Sequence, residues 1–244
     1  MFRIAIRRLV VVVAATVGLT FANPAKADIV IDTFNESTAS TYQIGLINPN
    51  PFSAPALLLG NGLTRNLSVT VVSPAIPNFN SASGFIGAGA FSLNTDSATT
   101  AFASINYTGF GVGTSDFTGG NGIRLDFLNL NPGNTSTGVA PDMPISVSII
   151  TSSGTLTQTV GAIGGPTYSV LLPFASFSGS GNLANVTGLG VNLNSGSGAR
   201  IAADFELANI VVPTNAVPAP PAFALLLAAA PVIALRRWKA KKTA

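Results

Sequence analysis

The chain has 244 residues, of which only 9% are charged and 47% are hydrophobic. It contains no Cys and no His, which excludes disulfides, thiolate chemistry, Cys-ligated metals and the imidazole base of an ordinary catalytic triad. The formal charge of +3 hides a division: all nine acids lie from Asp28 to Glu206, and only Arg65, Arg124 and Arg200 accompany them there. An acidic centre repels phosphate, so nucleic acid is not expected as a partner despite the basic total.

The first segment carries Arg3, Arg7 and Arg8, then an apolar run from Leu9 to Ala22, then Ala25-Lys26-Ala27. A positive start, an apolar stretch and a small-x-small site make up a secretory signal. The run is shorter than the ~20 residues a membrane span needs. Residues 1–27 are therefore read as a signal peptide, recognised by the secretion machinery and cut by signal peptidase after Ala27, with Ala25 and Ala27 as the cleavage-site residues.

From Asp28 to Val212 no sustained 3.6-residue apolar period occurs, and Gly, Pro, Ser, Thr and Asn recur too often for long helices. Short alternating or β-branched runs predict strands at 29–31, 67–72, 89–93, 101–107, 123–128, 145–151, 155–160, 168–172, 186–193 and 201–212. Ile123, Leu125 and Phe127 alternate with Arg124 and Asp126, giving one buried and one wet face. Ser152-Ser153-Gly154 between two runs predicts a hairpin turn. Many short strands with turn signals between them predict an all-β, antiparallel sandwich or barrel over 28–212. No fixed repeat period supports a β-helix.

Val217-Pro218-Ala219-Pro220-Pro221 ends the domain, since proline supplies no N–H to a helix or a ladder. An uncharged apolar run from Ala222 to Leu235 follows, and then a basic tail with Arg236, Arg237, Lys239, Lys241 and Lys242. A short apolar helix before a basic cluster stops in a membrane with its tail in the cytoplasm, and Trp238 would sit among the headgroups. The expected organisation is thus a Pro-rich linker and motif over 213–221 and a single transmembrane helix with its tail over 222–244.

This three-part end resembles the PEP-CTERM sorting signal of bacteria that make extracellular polysaccharide. The resemblance rests on Val217, Pro218, Ala219 and Pro220, the short helix and the basic tail, and it departs at Ala219, where the family usually has Glu. It implies an exosortase-like membrane protease as a partner, membrane sorting, and a final place at the cell surface or in the extracellular matrix beside exopolysaccharide. The opening Ile31-Asp32-Thr33-Phe34-Asn35, together with Asn185 to Leu193 and Ala203 to Ile210, resembles galactose-binding-like jelly rolls. That resemblance implies neighbouring first and last strands.

If those strands are neighbours, Asp28 and Asp32 could share a structural Ca²⁺ with Asp204 and Glu206, because calcium takes carboxylate and carbonyl oxygens. The alternative is ordinary exposed acids on an edge strand. Tyr42, Tyr107, Phe110, Phe117 and Tyr168 are candidates to stack on sugar rings, whereas Phe127, Phe174, Phe177 and Phe205 fit a core better. Gly109 to Gly113 and Gly84 to Gly89 lack the strand–loop–helix context and the lysine of a phosphate loop, so they predict turns or close strand packing. The acids are few and scattered, and no catalytic pattern is met. The expected function is that of a non-catalytic, exported surface or matrix module with no resident cofactor. The alternative is a carbohydrate-binding module with a defined glycan ligand.

Overall fold

The computed structural model describes residues 27–35, 40–44, 52–53, 55–74, 82–135, 138–139, 142–196 and 199–214. The predicted signal peptide up to Lys26 and everything after Thr214, including the sorting motif, the apolar run and the basic tail, lie outside the described residues. Among the described residues no helix is long and apolar enough to cross a membrane.

In chain order the strands are β1 (Ile29–Asp32), β2 (Ser40–Ile44), β3 (Phe52–Ser53), β4 (Leu57–Leu58), β5 (Thr64–Pro74) and β6 (Ala82–Gly87). They continue with β7 (Ala90–Thr95), β8 (Thr99–Thr108), β9 (Gly122–Asn131), β10 (Asn134–Thr135), β11 (Gly138–Val139) and β12 (Met143–Thr151). The last are β13 (Gly154–Ala162), β14 (Gly165–Pro173), β15 (Ser178–Gly179), β16 (Val186–Leu193) and β17 (Asp204–Val212). A single 3-10 turn at Phe174–Ser176 is the one helical element among them.

Two antiparallel sheets carry the fold. One has seven strands in the order β14-β9-β17-β7-β6-β2, with β1 also on β17, and the other has eight in the order β15-β13-β12-β16-β8-β5-β3, with β4 also on β5. The chain passes between the two sheets from β2 to β3, β5 to β6, β7 to β8, β8 to β9, β9 to β12 by way of the small β10–β11 pair, β13 to β14, β14 to β15 and β16 to β17, so the sheets cannot separate without pulling on many connections. Their inner faces share one apolar core. Phe91, Ile123, Leu125, Phe205 and Ile210 come from the first sheet, and Leu67, Ile105, Ile145, Val147, Leu189 and Val191 from the second. Period-two alternation produces this: β12 runs buried and half-buried in turn, with Ile145, Val147 and Ile149 inward and Ser146 and Ser148 outward. The architecture is a β-sandwich.

Three local features follow from residue chemistry. Ser152 and Ser153 form the β12–β13 turn, with Thr151 opposite Gly154, as expected from sequence. Gly154 has φ 150, and a Cβ there would run into the Ser180 backbone. The β6–β7 hairpin turns on Ala88 and Gly89, both at positive φ (54 and 79), which is the backbone of a two-residue primed turn.

Strand β1 lies antiparallel to β17, with Ile29 opposite Val212 and Asp32 opposite Ile210. First and last strands are neighbours, as the jelly-roll resemblance implied. Asp28 Oδ1 accepts hydrogen bonds from Thr214 N (2.8 Å) and Thr214 Oγ1 (3.2 Å). The sandwich, from Asp28 to Thr214, therefore begins and ends at one point.

Candidate functional site

The four acids expected to share calcium are not brought together. Asp32 faces Ile210, six residues along β17 from Asp204, which at ~3.3 Å per residue places them about 20 Å apart. Neighbouring strands were expected correctly, but β1 meets the C-terminal half of β17 and the acids lie on its N-terminal half. Each acid also has other work. Asp204 Oδ1 accepts from Thr95 N at 2.7 Å, and burial pushes its pKa above the usual carboxylate value while the Thr95 hydrogen bonds oppose this. Glu206 is exposed opposite Ser92. Asp28 ties the domain ends together. Among the described residues no group of three acids could hold a metal, so this donor set does not fit a cation.

Asp32 sits in a buried polar cluster that the sequence did not single out. Its Oδ2 accepts from Arg65 Nη1 (2.9 Å) and Tyr107 Oη (2.8 Å), and its Oδ1 accepts from Phe34 N (2.8 Å). Both charged side chains are only 3% exposed. The Arg65 guanidinium lies 5.2 Å from the centre of the Phe34 ring, so the ring face adds cation–π attraction. This cluster bolts β1 of one sheet to β5 and β8 of the other. It has no solvent path and serves the fold.

The aromatic candidates are also accounted for. Tyr107 and Phe117 are buried, and Phe110 and Tyr168 pack partly buried against the core, so these four offer no open ring platform; the Tyr42 side chain lies outside the described residues. Phe127 and Phe205 are core, with rings 6.1 Å apart, and Phe174 and Phe177 pack against it.

The surface that stands out is the outer face of the eight-stranded sheet. Register places its outward residues in rows across the strands. One row runs Thr157, Ser148, Gly190, Asn106, Asn66. The next runs Thr159, Ser146, Asn192, Ser104, Ser68, Ser53. A third runs Thr155, Ile150, Gly188, Thr108, Thr64. None of these residues is charged. The other outer face differs: Arg124 and Asp126 form an ion pair of 3.0 Å there, and Asp204 and Glu206 stand on the adjacent strand. Beside these rows, Arg200 Nη2 pairs with Asp142 Oδ1 at 3.0 Å, and the Arg65–Asp32 pair lies buried beneath the sheet.

The hydroxyls and amides partly satisfy one another. Thr159 Oγ1 donates to Ser146 Oγ (3.2 Å), and Asn106 Nδ2 donates to Ser104 Oγ (3.2 Å). At the centre, β16 offers glycine instead of a side chain. A Cβ on Gly190 would lie 2.7 Å from Ser148 Oγ and 3.1 Å from Asn106 Oδ1. A hydroxyl and an amide oxygen therefore lean in over the middle strand from both sides. What such a face can do is hydrogen-bond a flat, uncharged, hydroxyl-rich partner. The period-two spacing of Ser146 and Ser148, or of Ser104 and Asn106, was readable in the sequence, but the pairing that sets them in one row was not.

No protein-family model matches the chain, and no curated protein matches it. Among solved structures it is similar to PfGH50B (13% identity, TM-score 0.35, covering 60% of this chain and 22% of that one). It is likewise similar to an arabinose-bound MgGH51 α-L-arabinofuranosidase (13% identity, TM-score 0.35, covering 79% of this chain and 27% of that one). The chain thus spans about a quarter of the length of each, and the likeness is too distant to support a functional argument.

Proposed function

We propose that this chain is an exported, membrane-sorted bacterial protein whose sandwich, a jelly roll, is a non-catalytic module associated with extracellular polysaccharide at the cell surface or in the matrix. The observation that carries the polysaccharide part is the broad face, mostly of Ser, Thr, Asn and Gly with the exposed Ile150 among them, that holds no charged side chain. Export and sorting rest on the residues of the two ends: Arg3 to Ala27 at the start, and the Val217 to Pro220 motif, the apolar run and the basic tail at the finish. Signal peptidase and an exosortase-like protease are the proposed processing partners.

The test is to express the full chain in an exopolysaccharide-producing bacterium, fractionate the cells and measure the intact mass of the exported product. The expected product lacks residues 1–27 and the segment after about Val217, sediments with the polysaccharide, and is released by polysaccharide-degrading enzymes. An unprocessed chain in the cytoplasm, or an exported chain indifferent to removal of polysaccharide, would refute the proposal.

A further inference from the structure

We infer that the ligand is a neutral, extended glycan chain lying across the strands, over the row Thr157, Ser148, Gly190, Asn106 and Asn66; this rests on the polysaccharide reading above and specifies the ligand class and its site. Three observations carry it. First, charge is segregated. The row and its two neighbours hold no ionised side chain, while the opposite outer face holds Arg124, Asp126, Asp204 and Glu206. The central region as a whole is acidic, so an acidic polymer gains no counter-charge from the face and meets repulsion from the domain. A neutral polymer loses nothing on either count.

Second, the spacing suits a polymer. Strands repeat at ~4.8 Å, so the five-strand row presents donors and acceptors at that interval over about 19 Å. An extended pyranose chain repeats its hydroxyls at a closely similar interval, so successive sugars meet successive strands. Third, the centre of the row is a buried glycine over which two polar groups meet. Gly190 has no side chain, and Ser148 Oγ and Asn106 Oδ1 converge above it. The half-buried Ser148 and the exposed Thr157, Asn106 and Asn66 supply both donors and acceptors to hydroxyl groups. With no tryptophan in the domain, the hydroxyls and amides of the row carry recognition by hydrogen bonds, beside the half-buried Phe102 on the same outer face.

The experiment is affinity electrophoresis of the full chain in mild detergent, in gels containing one soluble polysaccharide each. Neutral probes are hydroxyethyl cellulose, galactomannan and dextran, and the acidic probe is alginate. At least one neutral polysaccharide retards the wild type, and alginate does not. Thr157→Ala, Asn106→Ala and Asn66→Ala each weaken retardation about three- to tenfold, the weight of one hydrogen bond. Ser148→Glu abolishes it, and Asn94→Ala, exposed on the opposite face, leaves it unchanged. Thermal unfolding of every variant within a few degrees of wild type separates lost binding from lost fold.

Wild-type retardation that the row variants do not alter would overturn this site and leave the polysaccharide reading standing. Retardation by alginate alone would overturn the neutral ligand. No retardation by any probe would overturn the site and count against the polysaccharide reading itself. A wild type that sediments as a dimer, turned monomeric by Ser148→Glu, would show that a second copy covers the face and would overturn the glycan inference.

Discussion

Replacing Asp32 with Ala removes one carboxylate that three donors use: Arg65 Nη1 at 2.9 Å, Tyr107 Oη at 2.8 Å and Phe34 N at 2.8 Å. The guanidinium, 3% exposed, loses the Asp32 carboxylate, and breaking a buried ion pair by removing one member costs about 3–5 kcal/mol. Phe34 also loses the anchor that holds it at φ 48, a left-handed conformation uncommon for a residue with a side chain. The loss exceeds that expected from a surface pair, which is about 0–1 kcal/mol. The assay is urea unfolding followed by far-ultraviolet circular dichroism on wild type, Asp32→Ala, Arg65→Met and the double variant. The double variant recovers at least half of the loss of Asp32→Ala, because the buried guanidinium is removed together with the carboxylate it paired with. A cost below about 1 kcal/mol for Asp32→Ala, or strictly additive losses in the double variant, would refute the argument that burial of this pair sets its energetics.

Other substitutions test separate parts of the fold. Gln158 points inward on β13, and its Oε1 is buried with no donor among the described residues; Gln158→Met raises unfolding free energy by about 1 kcal/mol in the same urea assay. The pKa of Asp204 is raised in the folded state by burial, so its contribution to stability is greatest below the ordinary carboxylate range and is lost as pH rises through the folded value. Asp204→Asn, whose side-chain oxygen can still accept from Thr95 N, flattens that part of the stability–pH curve without lowering stability at neutral pH. Gly122→Ala drives a methyl into the Leu172 carbonyl across the β9–β14 ladder. Backbone cannot yield there, so melting measurements show a loss of about 1–3 kcal/mol.

Much of the fold was legible because burial and strand period coincide. Each expected run, from 29–31 to 201–212, overlaps a strand, the 186–193 bounds agree with β16, and the last run starts three residues before β17. Strand β6 was not expected: Gly84 to Gly89 was read as turns or close strand packing, because Ala82-Ser83-Gly84-Phe85-Ile86-Gly87 has too few apolar positions to declare a period, and pairing with β7 makes it a strand. The two-residue β3, β4 and β15 depend wholly on their partners. The candidate site was less legible. Asp28, Asp32, Asp204 and Glu206 were drawn together by the adjacency of first and last strands, but the half of β17 that β1 meets is set by register, which local sequence does not encode. Tyr107 looked like a surface ring and is instead a hydrogen-bond donor in the core. The uncharged face draws on six strands between Ser53 and Asn192, of which only β12 and β13 are consecutive, so no local window contains it.

The central claim is that an uncharged face holds an uncharged polymer, and salt dependence tests it most directly. Retention of the full chain by a neutral polysaccharide should be unchanged between about 0.01 M and about 1 M sodium chloride, over which the Debye length falls from about 30 Å to about 3 Å. Retention that falls steeply across that range would mean that charge contacts carry the binding, and would contradict the account.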